Sequence, residues 1–164
     1  IEGDRFASIR MNDVVLSRES GEAEYGVEGA PENASLAPAW QRAQAAQALA
    51  ALRIEDVQKL NNPLSDPVST IAAKTHDGLT LEAALFEYEG GNWIQLRATF
   101  DANARNEGGA AVLQGAPEDG AAEAATINER TRGWLFKISD VTAQSLKRRK
   151  ADFIETTETS NAPS

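Results

Sequence analysis

The sequence predicts an α+β domain, a mainly antiparallel sheet with an Ala-rich helix and a C-terminal helix packed on one face. Three stretches carry that expectation. Residues 68–100 read as three strands joined by two tight turns, residues 38–52 as the first helix and residues 141–154 as the second. One-sided apolar alternation favours an antiparallel sheet with one wet face. Such a sheet needs a second layer over its apolar side, which the helices supply.

The meander is the centre of the reading. Leu79, Leu81, Ala83 and Leu85 alternate with Thr80, Glu82 and Ala84. A period of two sends the first set to one face and the second to the other. Ile94, Leu96, Ala98 and Phe100 repeat the pattern against Gln95, Arg97 and Thr99. Asp77-Gly78 predicts a two-residue type I′ hairpin, with positive φ at both turn positions. Glu89-Gly90-Gly91-Asn92 marks the second turn.

The remaining elements follow in chain order. Residues 6–17 predict a strand carrying Ile9, Met11, Val14 and Leu16, with a turn or bulge at Asn12-Asp13. Ser20-Gly21 turns the chain, and residues 23–27 return as a short strand around Tyr25 and Val27. In the helix over 38–52, Ala45, Ala48, Leu49 and Leu52 share a face at helical spacing. Ser35 is its expected N-cap, and Trp40 is expected to close one end of the core. Over residues 53–60, Ile54, Val57 and Leu60 have helical spacing, but the segment directly follows a helix and leads toward the meander, which favours a short strand beginning at Leu52. Residues 102–119, rich in Gly, Ala and Asn, predict a mobile surface excursion. A short helix over 121–130 leads to the strand Trp134-Leu135-Phe136-Lys137-Ile138. Ser139 or Asp140 then caps the last helix. One domain over residues 1–155 and a disordered tail over 156–164 complete the organisation.

Composition narrows the function. A net charge of -9 disfavours general nucleic-acid binding, which needs surplus Lys and Arg, while leaving room for a local basic patch. With no Cys there is no disulfide, thiolate metal site or cysteine nucleophile. No stretch approaches the length of apolar chain that crosses a membrane. The start at Ile1-Glu2-Gly3, without Met, is expected to be that of a processed or trimmed product.

Candidate chemistry is sparse. His76 beside Asp77 has the form of a base and its orienting carboxylate, but no nucleophile motif accompanies it, and an exposed turn residue is the expected outcome. Gly108-Gly109 and Gly115 lack the strand and helix of a phosphate cradle. Glu22, Glu24 and Glu28 suit a solvated strand edge, and neither they nor Glu118-Asp119 have calcium-loop spacing. Lys147, Arg148, Arg149 and Lys150 form the densest charge in the chain. They are candidates for contact with an acidic partner or anionic lipid, or for completing a helix C-terminus. Trp40 and Trp93 are candidates for ligand stacking; core or rim packing is the plainer expectation for them and for Trp134. No catalytic residue, cofactor or metal site is predicted.

Several segments together resemble a known family. They are Gly29-Ala30-Pro31-Glu32, Trp40, the run from Ala48 through Leu52-Arg53-Ile54-Glu55-Asp56-Val57, Asp77-Gly78-Leu79-Thr80-Leu81 and Trp93-Ile94-Gln95-Leu96. Ile127-Asn128-Glu129-Arg130, Gly133-Trp134-Leu135-Phe136 and Ser139-Asp140 complete the set. The pattern is similar to a bacterial domain of unknown function found in gliding-motility-type ABC-transporter auxiliary proteins and their neighbours. The resemblance covers roughly residues 9–154 and carries no catalytic residues. It implies a periplasmic domain, anchored to the inner membrane by a segment outside this chain, with a membrane-protein partner such as an ABC-transporter component. The expected function is therefore that of a non-catalytic extracytoplasmic accessory domain acting through protein contacts. The alternatives are a small-molecule or glycan binding module using Trp40 or Trp93 and, last, an enzyme using His76-Asp77.

Overall fold

The alternation seen in the sequence builds a single large sheet. The structure, a computed structural model, describes residues 1–19, 22–107 and 119–155. Eight strands run in the order β3-β2-β1-β6-β7-β8-β9-β5. They are β1 (Phe6–Met11), β2 (Val14–Ser17), β3 (Gly26–Val27), β5 (Asp56–Lys59), β6 (Ser69–Thr75), β7 (Leu79–Tyr88), β8 (Gly91–Phe100) and β9 (Trp134–Ile138). Every neighbouring pair is antiparallel. A two-stranded ribbon of β4 (Ser35–Leu36) and β10 (Ile154–Glu155) stands apart.

The apolar phase of each strand points to one side. Ile9, Met11, Leu16, Ile71, Ala73, Leu81, Leu85 and Ile94 are buried there. Each large aliphatic side chain so buried contributes about 2 kcal/mol. Two helices cover this layer: α1 (Ala39–Ala50) through Ala45, Ala46 and Leu49, and α4 (Asp140–Leu146) through Ala143 and Leu146. The small alanines let α1 approach closely. α2 (Ala102–Glu107) and α3 (Gly120–Thr131) are the other α-helices among the described residues, with Ala124 of α3 packed against Leu79 and Ala98. The α+β class and the one-sided helix layer are as the sequence predicts.

Local details differ from expectation. The Asp77-Gly78 turn is a three-residue loop, since Lys74 pairs with Thr80 and the strand resumes at Leu79. Gly78 takes φ 92° while Asp77 is not left-handed. Thr75 is the reason: its Oγ1 accepts the Leu79 N–H at 2.9 Å, closing a longer loop. The two-residue turn with positive φ at both positions is Glu89-Gly90, at 49° and 72°.

Trp40 does not close the core. It is 62% exposed, because nine residues separate it from buried Leu49 and place it about 180° around the helix. The helix N-cap is Pro38, since Ser35 is drawn into the β4–β10 ribbon. The strand after α1 starts at Asp56, not Leu52. The last helix stops at Leu146 instead of Ile154. Beyond it the Asn12 amide donates to the carbonyls of Lys147 and Arg148, at 3.3 and 3.2 Å, and the chain turns to form β10. The expected excursion over 102–119 opens as α2. Its remainder at 108–118, the Ser20-Gly21 turn and the tail over 156–164 lie outside the described residues.

Candidate functional site: the uncovered sheet face

The second phase of the alternation faces away from the helices. At one end the segment after β5 folds across this face, where Leu60 and Leu64 pack on Phe86, Trp93 and Leu135. Among the described residues nothing covers the rest. A shallow depression of about 500 Å³ lies there, over Thr70, Ala72, Glu82, Ala84, Gln95 and Arg97 among others.

Register places its charges in one row. Arg10 pairs with Ala72, Ala72 with Glu82, and Glu82 with Arg97. Paired residues share a face, so the four side chains rise from one line across β1, β6, β7 and β8. Arg10, Glu82 and Arg97 are exposed, and among the described residues none of the three has an ion pair or a side-chain hydrogen bond. The small side chains of Ala72 and Ala84 leave a low floor between them. Lys74 and Thr80 form the adjoining row. The open face thus carries Arg10, Lys74 and Arg97 against Glu82, on a chain whose net charge is -9.

The residues singled out in the sequence lie elsewhere and do not converge. Lys147 Nζ donates to Glu87 at 2.7 Å and to Asn92 at 3.1 Å. Arg148 donates to the Gln44 side chain at 3.2 Å. Lys150 Nζ donates to the Gly29 carbonyl at 3.1 Å, and its backbone N–H to Asp13. Arg149 alone of the four is exposed, its backbone N–H donating to Asp152. Three of the four side chains therefore tie the C-terminal segment to the body. Trp93 is buried, with its indole N–H donating to the Tyr88 carbonyl at 3.1 Å. Trp40 stands on the outer side of α1, so the two tryptophans form no common cleft.

The His76-Asp77 pair is also separated in purpose. Asp77 is 1% exposed and its carboxylate meets the Arg5 guanidinium at 2.6 Å. Arg5 reaches Glu123 on α3 at 2.7 Å with another nitrogen. Burial alone would raise the Asp77 carboxyl; hydrogen bonds from Arg5 and Thr75 and the Arg5 charge outweigh it and hold the group below its ordinary range. The same pairing, Glu123 foremost, raises Arg5 further above its ordinary value against the opposing effect of burial. His76 is lowered by burial first and by Arg18 second, with Asp77 opposing.

None of Arg10, Lys74, Glu82 and Arg97 is among the candidate site residues that the sequence suggests. The signal available was the polar phase of the meander, which names Glu82 and Arg97. Joining Arg10 to them requires β1 beside β6, a neighbour about sixty residues away along the chain. Among the described residues no helix is long and apolar enough to cross a membrane, and no cluster of His, Asp and Glu has the form of a metal site. Compared with family models, with curated proteins and with solved structures, the chain matches none.

Proposed function

We propose that this chain is a non-catalytic accessory domain of a membrane transport or envelope assembly, located outside the cytoplasmic membrane and acting through protein contacts. The observation that carries the contact reading is the uncovered sheet face, with three exposed cations around one carboxylate on an acidic chain. A solvated polar face is ordinary for such a sheet, and the charged side chains on this one give a partner something to contact. The engagement of Asp77 by Arg5 supports the non-catalytic part, because that carboxylate is taken up in holding α3 to the sheet. The assembly and its location rest on the sequence resemblance of the segments from Gly29 to Asp140 alone, since no family model matches the chain.

The test is site-specific photo-crosslinking in the native membrane. A benzophenone side chain at Thr70, on the open face, is expected to yield an adduct with an integral membrane protein. The same group at Gln47, exposed on the opposite layer, is expected to yield none. Equal adducts from both positions, or no membrane-protein adduct from Thr70, would remove the reading. Recovery of the protein wholly in the cytoplasmic fraction would remove its location.

A further inference from the structure

We propose that the open face receives an acidic polypeptide segment, extended across the strands, with acidic residues at its first and fifth positions and a basic or neutral one at the third. The inference rests on the contact reading above and specifies the chemistry of the partner. Arg10 and Arg97 mark the ends of one row, separated by Ala72 and Glu82. Three strand spacings put their backbones about 14 Å apart, and four residues of extended chain span nearly the same distance. Residues at alternate positions of that chain face the sheet. The first and fifth thus meet the guanidinia, and the third lies over the step between Ala72 and Glu82, within side-chain reach of the Glu82 carboxylate.

Glu82 selects the class of partner. A nucleic-acid strand carries a charge at every few ångströms and would set a phosphate against this carboxylate. A membrane surface rich in anionic lipid presents the same unbroken negative charge. A polypeptide can interrupt its charge with Lys, Ser or Ala where Glu82 stands. The low floor at Ala72 and Ala84 admits side chains from above, and arginine offers each end carboxylate a two-pronged donor. Among the described residues that line the depression there is no aromatic side chain on which bases would stack.

The test is an amide-resolved NMR titration of the folded domain with three synthetic peptides and two controls. The peptides are Thr-Glu-Thr-Lys-Thr-Glu-Thr, the same with Glu at the centre, and one with Lys and Glu exchanged throughout. The controls are oligo-dT and phosphatidylglycerol vesicles. The first peptide is expected to shift the amides of Arg10, Ala72, Glu82 and Arg97 saturably, and to bind at least threefold more tightly than the other two. Arg10→Ala and Arg97→Ala each weaken it about threefold, as a surface ion pair does, and Glu82→Gln abolishes the preference for Lys at the centre. Well-dispersed spectra establish that these surface variants are folded. No saturable shift at millimolar peptide, equal affinity for all three peptides, or tighter binding to oligo-dT or vesicles overturns the inference. If it fails while Thr70 still cross-links a membrane protein, the contact reading stands without the acidic segment; if both fail, both fall.

Discussion

The Asn128 side chain is bonded to the backbone of Ala98 in both directions, accepting its N–H at 2.8 Å and donating to its carbonyl at 2.7 Å. β7 flanks β8 along its whole length, but on the other edge β9 reaches β8 only at Asn92–Ile94, so among the described residues no strand lies on that edge of its second half. Asn128 supplies the missing partner there, and Thr131 adds a bond to the Leu96 carbonyl at 3.0 Å. Asn128→Asp keeps an acceptor but loses the donor, and sets a carboxylate against a carbonyl. The expected loss is about 2 kcal/mol at neutral pH, read by urea unfolding. The loss shrinks in acid as the carboxyl regains a proton.

Arg5 joins the first turn of the chain to the β6–β7 loop and to α3 at once. Because the Asp77 carboxyl is held below its ordinary value, its contribution is fully present above about pH 3.9 and is lost as pH falls through the lower folded value. Asp77→Asn is expected to cost about 3 kcal/mol at pH 7, the low end for breaking a buried pair, since Arg5 keeps Glu123. The penalty should narrow toward pH 3. A penalty independent of pH would show that Asp77 acts through shape and not charge.

His76 is the single histidine, so its ring protons give an unambiguous signal. Burial lowers its pKa, with Arg18 adding to the effect. NMR is expected to place its midpoint below about 6.5. The linked stability is intact above that value and declines as pH falls toward the folded midpoint. His76→Gln should remove this decline and leave the deeper acid transition of Asp77 in place.

Glu89 occupies the left-handed region at φ 49°, in the turn where Tyr88 pairs with Gly91. A side chain with a branchless Cβ still meets a steric cost there, and Asn meets less. Glu89→Asn is expected to raise the unfolding free energy by about 0.5 kcal/mol. A loss of stability would mean that the Glu89 side chain has a role its turn position does not explain.

The division of labour between these residues explains what the sequence could reveal. Patterns local to a segment were legible: the period of two in β7 and β8, the alanines of α1 and the Ser139 cap, whose Oγ accepts the Thr142 N–H. Contacts made across the chain were not. Nothing near Asp77 announces Arg5, and nothing near Ala98 announces Asn128. The end of α4 is hidden from the sequence because helix propensity continues through Lys147–Lys150, while Asn12 captures the Lys147 carbonyl from 135 residues away. The open face was half legible. Its polar phase is written in β7 and β8, but its cationic row exists only after β1 is laid against β6.

Gly120 starts α3 against the ring of Phe100, and a Cβ there would lie well inside van der Waals contact with that ring. In an unobstructed helix interior Gly→Ala stabilises by about 1 kcal/mol. Here the sign should reverse, because the ring is packed against the cluster of Leu79, Ala98 and Ala124 and cannot withdraw freely. Gly120→Ala is expected to cost about 2 kcal/mol, as overpacking does. Phe100→Leu opens the space, so the double variant should recover at least half of the loss. A double-mutant cycle with coupling near zero would show that α3 shifts as a body and that the close approach does not fix its position. Strong coupling would establish this contact, with Asn128 and Arg5, as what holds α3 along β8.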